Sequence, residues 1–130
     1  MQRFNPPGLH RPDGYAHITV SSASRMIHFA GQCPLDVDDK IVGDDFLTQT
    51  DQVIANCLAV LDAAGVKPDA VVRSVVYVVS TDSGELADVW HRLMRSPLAP
   101  AFTSASTLLG VAALGYRGQL IEVDLTAETA

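Results

Sequence analysis

Apolar and polar residues follow a helical period in two stretches of the chain. In residues 46–64, apolar side chains recur every three or four positions, which is typical of an amphipathic helix. Residues 81–95 repeat that period, carry Asp82 and Glu85 at the spacing of a capping box, and stop before Pro97. The sequence therefore predicts two amphipathic helices.

Short apolar runs predict the strands. Residues 69–80 contain six valines distributed over both faces of an extended chain, which predicts a central strand covered on both sides. Residues 108–114 and 120–125 are apolar runs on either side of a Gly-Tyr-Arg-Gly turn, and they predict a β-hairpin. Three shorter runs predict two more strands and an edge strand: residues 17–20, 26–30 and 41–42.

The order of these elements predicts one α+β domain over residues 1–130, with both helices on one face of the sheet. Residues 1–14, which are rich in proline and glycine, predict an irregular arm. The two helices leave the other sheet face uncovered, and that face is predicted to be apolar. A second subunit is the simplest cover for it.

Composition and charge narrow the classes of partner. The chain is 48% apolar, and its 15 acidic and 9 basic residues give a net charge of −6. A nucleic-acid partner requires a basic stripe, so we predict no nucleic-acid binding. No apolar run has the length of a membrane span, and residues 1–12 lack the apolar stretch of a signal peptide, so we expect a cytoplasmic protein without a membrane partner.

One acid, Glu122, interrupts the last apolar run. Burying an unpaired carboxylate costs on the order of several kcal/mol. Glu122 is therefore expected either to face a cleft that supplies hydrogen-bond partners or to lie on the solvent face of the strand. Cys33 is expected at the rim of such a cleft, without an identifiable base beside it. The four histidines show no ligand spacing, so we predict no metal site and no cofactor: His10, His17, His28 and His91.

Several stretches together resemble one known family. They are Phe29-Ala30-Gly31-Gln32, the helix segment with Gln52, Asn56 and Leu-Asp-Ala-Ala-Gly at residues 61–65, the valine-rich strand, and Ile121-Glu122-Val123. Over residues 12–127 the chain resembles the RidA/YjgF family of reactive-intermediate deaminases, also known as L-PSP endoribonuclease-like proteins. The resemblance implies a chorismate-mutase-like fold, with two helices on one face of a mixed sheet, and a homotrimer with clefts between subunits.

The resemblance also implies a small-molecule site in that inter-subunit cleft. Glu122 corresponds to the catalytic carboxylate. A count back from Glu122 and Leu114 places the arginine that binds the substrate carboxylate at Ser106, and a helix asparagine of the deaminating members corresponds to Trp90. The residues implied to bind the ligand are Tyr15, Ala30, Gly31, Gln32, Trp90, Ser106, Thr107 and Leu108.

Loss of the arginine changes the implied function. A serine donates one neutral hydrogen bond and cannot replace a bidentate guanidinium. We therefore expect a hydrolase of an enamine or imine other than the usual 2-imino acids; the alternative is a trimer that binds a small metabolite without catalysis. An L-PSP-type endoribonuclease is disfavoured by the negative charge. Whether another cation takes the place of the missing arginine remains open. The candidates are a residue of a neighbouring subunit and Arg11, Arg25, Arg73 and Arg117.

Overall fold

The computed structural model describes all 130 residues, from Met1 to Ala130. It contains two α-helices, six β-strands and two short 3-10 helices, at Pro68–Ala70 and Ala99–Phe102. The strands and α-helices in chain order are β1 (Gln2–Phe4), β2 (Ile18–Val20), β3 (Arg25–His28), α1 (Phe46–Ala63), β4 (Val71–Val78), α2 (Ser83–Met94), β5 (Ala105–Gly110) and β6 (Ile121–Thr129).

The main sheet has four strands in the order β3-β6-β4-β5. Strand β5 runs parallel to β4, whereas β6 is antiparallel to both β4 and β3. Strands β1 and β2 form a separate antiparallel pair. This arrangement confirms the predicted mixed sheet and places the valine-rich strand β4 in its interior.

The predicted β-hairpin at residues 108–114 and 120–125 is wrong. Strands β5 and β6 both exist, but they pair with opposite edges of β4 and not with each other. The first strand also ends at Gly110, so residues 111–120 form a long connection around the end of β4. A hairpin needs a short turn and direct pairing of its strands; here β4 supplies the partner backbone for both.

The two predicted helices are confirmed, within two residues at each end. Asp45 begins α1 by accepting a hydrogen bond of 2.7 Å from the Thr48 amide, and Gly65 follows the end of the helix with a φ of 73°. Asp82 begins α2 by accepting from the Gly84 amide. Both helices pack on one sheet face, and the largest fully buried side chains there include Phe102, Leu61, Leu93 and Leu98.

The opposite sheet face, here called the open face, is less apolar than predicted. Strand β4 alternates, so that Val76 and Val78 are buried while Arg73 is exposed on the open face. Val75 and Tyr77 lie beside Arg73 on that face and are half-buried. The expected cover by a second subunit remains a prediction, but it concerns a mixed surface and not a purely apolar one.

Two smaller predictions also need correction. The N-terminal arm is not wholly irregular, because Gln2–Phe4 pairs with β2 and Arg3 donates a hydrogen bond of 2.8 Å to Ser104. The predicted edge strand at residues 41–42 is a single bridge between Leu35 and Ile41, since the acidic turn before it leaves too little chain to pair. Neither helix of the fold is long and apolar enough to cross a bilayer.

Candidate functional site

A cleft of about 320 Å³ lies between the N-terminal loop, α2 and β5. We call it the helix-side cleft, because it is on the face of the sheet that carries the helices. Its lining combines aromatic, small and polar side chains: Asp13, Tyr15, Ala87, Trp90, His91, Ser106 and Leu108. Four of the ligand-binding residues predicted from the resemblance therefore meet in one place.

Trp90 forms the back wall of the helix-side cleft. Its indole is 7% exposed and donates a hydrogen bond of 3.3 Å to the Asp13 carbonyl. The ring packs edge-on against Phe102 at 5.7 Å and against Tyr15 at 6.2 Å, measured between ring centroids. Trp90 thus belongs to the hydrophobic core and to the cleft at once, which is why it is rigid enough to shape a ligand pocket.

The hydroxyl of Ser106 is already engaged within the chain. It lies 2.6 Å from the hydroxyl of Ser74, its partner in the register of β4 and β5. Side chains opposite each other in paired strands share a face, so Ser106 points to the helix side with Ser74. Its neighbours Ala105 and Thr107 consequently lie on the open face.

The Tyr15 side of the helix-side cleft carries two histidines. His10 Nε2 lies 2.8 Å from the Tyr15 hydroxyl, and His17 Nε2 lies 2.8 Å from the His10 carbonyl. The rings of His10 and His17 are in edge contact, with centroids 4.6 Å apart. These contacts fix the orientation of Tyr15, and neither histidine belongs to the lining of the cleft.

Glu122 occupies the other face of the sheet. It is half-buried on β6 opposite Tyr77, and its Oε1 accepts hydrogen bonds of 3.1 Å from the Cys33 thiol and 3.1 Å from Gln119 Nε2. Gly31 packs directly on the carboxylate, since a Cβ at that position would overlap Glu122 Oε2. The reading of Glu122 as a carboxylate with hydrogen-bond partners fits this geometry better than a freely solvated strand position.

The loop that carries Gly31 is fixed from two sides. Gln32 and Val123 exchange two backbone hydrogen bonds, of 2.7 and 3.1 Å, which hold the loop alongside β6. Asn56 on α1 donates bonds of 2.9 Å to the carbonyls of Cys33 and Leu35. Asn56 was noted in the sequence only as part of the family pattern, and its role is to anchor this loop.

Cys33 is a hydrogen-bond donor and a poor nucleophile. Partial burial and, after it, the hydrogen bond and negative charge of Glu122 raise the pKa of the Cys33 thiol to about 11. At neutral pH the thiol is therefore protonated. The residues that sequence reasoning missed here are Gln119, which carried no recognisable signal, and Cys33 in this donor role.

The predicted site residues fall into two groups within the chain. Tyr15, Trp90, Ser106 and Leu108 line the helix-side cleft, whereas Gly31, Gln32 and Glu122 form a cluster at the open face, with the exposed Ala30 next to it. Thr107 lies apart from both, on the open face beside Arg73. The sheet separates the two groups, so one chain alone does not bring Glu122 to Ser106.

No lysine or arginine of the same chain takes the place of the missing arginine. The lining of the helix-side cleft includes no lysine or arginine, and no basic group lies within 4 Å of Glu122. A shift of the family count by one residue places the arginine at Ala105 or Thr107, which are also uncharged. Arg73 donates a hydrogen bond of 2.6 Å to Thr107. It is four residues, or about 13 Å, along β4 from Tyr77, which lies opposite Glu122 on β6.

Comparisons with known proteins agree on one family. The family model described as Endoribonuclease L-PSP matches residues 9–129. Protein DfrA of Myxococcus xanthus is 31% identical over 118 residues, which cover 87% of this chain and 83% of that protein.

Solved structures give the same assignment. YyfB from Yersinia pestis, described as a protein of unknown function of the conserved Rid protein family, is 32% identical, with a TM-score of 0.85 over 98% of both chains. RidA from an Antarctic Psychrobacter is 23% identical, with a TM-score of 0.64 over 92% of both chains, and this likeness shows the fold alone. The matches in sequence and structure, spanning nearly the whole domain, make this chain a member of the Rid/YjgF family, also described as the endoribonuclease L-PSP family.

Proposed function

We propose that this protein hydrolyses a small imine or enamine in a cleft shared by two subunits of a homotrimer, with Glu122 as the general base. The observation that carries the proposal is the separation of Glu122 from Tyr15, Trp90 and Ser106 by the sheet of one chain. The helix-side cleft of one subunit would supply the ligand pocket. The open face of its neighbour would supply Glu122, as the resemblance to trimers with inter-subunit clefts suggests.

The chemistry requires one carboxylate. Glu122 accepts a proton from water as the water oxygen bonds to the carbon of the C=N group, and it passes that proton to the nitrogen to give a carbinolamine. Glu122 then takes the hydroxyl proton of the carbinolamine and delivers it to the amino nitrogen. The C–N bond breaks, so that ammonia leaves and a carbonyl compound remains, and the net reaction is imine plus water to carbonyl plus ammonia. An enamine enters the same route after it tautomerises to the imine.

The lining of the pocket favours a substrate without a carboxylate. Asp13 is the one acid at the helix-side cleft, no lysine or arginine accompanies it, and Ser106 is already bonded to Ser74. A carboxylate placed there would lose its hydration without gaining a lysine or arginine partner from the subunit that forms the pocket. The aromatic walls of Trp90 and Tyr15 instead suit a neutral or weakly cationic organic group.

The first test compares imines with and without a carboxylate, generated in situ by amine and amino-acid oxidases. We expect ammonia release to be accelerated for the uncharged imines and to remain near background for 2-iminopropanoate. Glu122→Gln should abolish the acceleration. The matched control is Asp124→Asn, which changes an acid on the same face of β6 and should retain it. Full activity in Glu122→Gln would remove Glu122 from the mechanism.

A second test asks whether the site is shared between chains. Ala87→Phe should fill the helix-side cleft, and Glu122→Gln should remove the base, so neither homotrimer should be active. If the two variants are unfolded together and refolded as an equal mixture, about one cleft in four combines an intact pocket with an intact acid. We therefore expect about a quarter of the wild-type activity. No recovery, with mixed trimers present, would mean that each site lies within one chain.

The alternative of a binding protein without catalysis has one observation in its favour. The polar groups of the helix-side cleft are either exposed, as are Asp13 and His91, or already bonded, as is Ser106. Such a protein would bind the amine or carbonyl product as tightly in Glu122→Gln as in the wild type and would not release ammonia from any imine. Isothermal titration with the same compounds separates the two functions.

A further inference from the structure

The two oxygens of the Glu122 carboxylate have different environments. Both of its hydrogen bonds, from Cys33 Sγ and Gln119 Nε2, end on Oε1 at 3.1 Å. Oε2 accepts no hydrogen bond within the chain and lies against the backbone of Gly31. One oxygen is thus held by hydrogen bonds from the protein, and the other accepts none within the chain.

The donor from Gln119 is fixed in orientation by its other contacts. Gln119 is 3% exposed; its Oε1 accepts a bond of 3.1 Å from the Tyr116 amide, and its Nε2 also donates to the Ile121 carbonyl. Exchanging the amide oxygen and nitrogen would place the amide oxygen against two other acceptors, the Ile121 carbonyl and Glu122 Oε1, and the amide nitrogen against the Tyr116 N–H donor. The amide nitrogen must therefore face Glu122.

The segment around Gln119 is itself held by the first helix. Gln49, fully buried on α1, accepts a hydrogen bond of 2.7 Å from the Leu120 amide and donates one of 2.8 Å to the Gly118 carbonyl. Cys33 is held by α1 in the same way, through Asn56. Both donors to Glu122 are consequently positioned by one rigid element.

We propose that Cys33 and Gln119 are positioning residues, which hold Glu122 Oε1 so that Oε2 alone faces the substrate water. The assignment relies on the proposed function only for the role of Glu122, and neither donor touches the substrate. It predicts that loss of a donor lowers kcat and leaves KM almost unchanged, because the base is misoriented while the pocket is intact.

The first test of the Cys33–Glu122 contact requires no substrate. In a Cys57→Ala background, Cys33 is the remaining thiol, and its alkylation by iodoacetamide at neutral pH reports its thiolate fraction. Glu122→Gln removes the negative charge at constant side-chain size and leaves only a neutral amide oxygen to accept the thiol proton. Because thiolate at fixed pH rises about tenfold for each unit by which the thiol pKa falls, we expect alkylation of Cys33 to be accelerated by about tenfold or less.

Asp124→Asn, on the same strand, is the matched control and should leave the alkylation rate unchanged. Equal rates in the parent and in Glu122→Gln would overturn the contact and the inference with it. A faster rate in Glu122→Gln supports the contact even if no imine proves to be a substrate, so that a failure of the proposed function is recognised separately.

The positioning role is tested on turnover with an imine that the wild type accepts. Cys33→Ala should lower kcat by about 3- to 10-fold, as expected for the loss of one hydrogen bond of ordinary net strength, since a thiol is a weak donor. Cys33→Ser restores a donor and should recover most of that loss, whereas a merely structural role would make both variants alike. Gln119→Met, which keeps the volume but not the donor, should reproduce the kcat effect; unchanged kcat in both Cys33→Ala and Gln119→Met would overturn the inference.

Discussion

The contact between Gly31 and Glu122 can be tested through stability alone. A Cβ at residue 31 would overlap Glu122 Oε2 and lie 2.8 Å from its Cδ and 3.1 Å from its Cγ. Gly31 is not among the residues with positive φ, so alanine is compatible with its backbone. Any cost of Gly31→Ala therefore arises from displacement of the Glu122 side chain.

The size of that cost follows from what Glu122 must give up. To make room, its carboxylate has to leave the Cys33 thiol and Gln119 Nε2, and hydrogen bonds to charged groups contribute about 1.5–3 kcal/mol each. Glu122 is half-exposed, so water compensates for much of this loss. We expect Gly31→Ala to lower the free energy of unfolding by about 1–2 kcal/mol, which is in the usual range for overpacking.

Urea unfolding at one fixed protomer concentration measures this effect in a double-mutant cycle. Glu122→Ala removes the three atoms that the new Cβ would meet, so Gly31→Ala should cost less than about 0.5 kcal/mol in that background. The coupling between the two substitutions is then about 1 kcal/mol. The same cost in both backgrounds would refute the reasoning, because the glycine would be required for a reason other than Glu122.

Three further predictions concern assembly, partners and pH. Sedimentation equilibrium at micromolar concentration should give about three times the monomer mass of 13.9 kDa, and a clean monomer would rule out a shared cleft. Binding to single-stranded RNA should be undetectable at physiological ionic strength because of the net charge of −6, and sub-micromolar affinity that falls steeply with salt would contradict this. Asp45→Ala should lower the thermal stability at neutral pH but not in strong acid. The Thr48 amide and hydroxyl lower the pKa of Asp45, so its stabilisation is present above the unfolded-state pKa and is lost as the pH falls through the folded-state value. A stability difference that persists in acid would show that Asp45 acts otherwise than as a charged cap.

The helices could be predicted from the sequence because their signals are local. Apolar spacing, the caps Asp45 and Asp82, and Gly65 all act within a few residues of the helix they define. The same holds for β4, whose density of valines favours a strand wherever the rest of the chain lies. The interrupted apolar run singled out Glu122 and the family resemblance added Gly31, and the two residues contact each other.

Strand pairing could not be predicted in the same way, because it depends on residues far apart in sequence. The two apolar runs near the C-terminus looked like a hairpin, but both edges of β4 were better partners for them. The sheet face on which Ser106 lies depends on the register between β4 and β5. A shift of that register by one residue would move every side chain of β5 to the other face. Cys33 and Gln119 reach Glu122 only because of the fold. The spacing of residues 33, 119 and 122 in the sequence does not predict that they are in contact.

Two properties of the fold bear on the proposed site between subunits. The sheet separates Glu122 from the helix-side cleft within one chain, so in the proposed function the acid of one subunit would serve the pocket of another. At the same time, each subunit already holds its Glu122 through Cys33 and Gln119, and its Trp90 through Phe102 and Asp13. Because both half-sites are ordered before they meet, association need not order these side chains, which removes a cost of about 0.5–1.5 kcal/mol for each. A trimer of this chain would therefore form its sites by docking rigid surfaces. Substitutions at Cys33 or Gln119 would change the orientation of Glu122 more than the formation of the trimer.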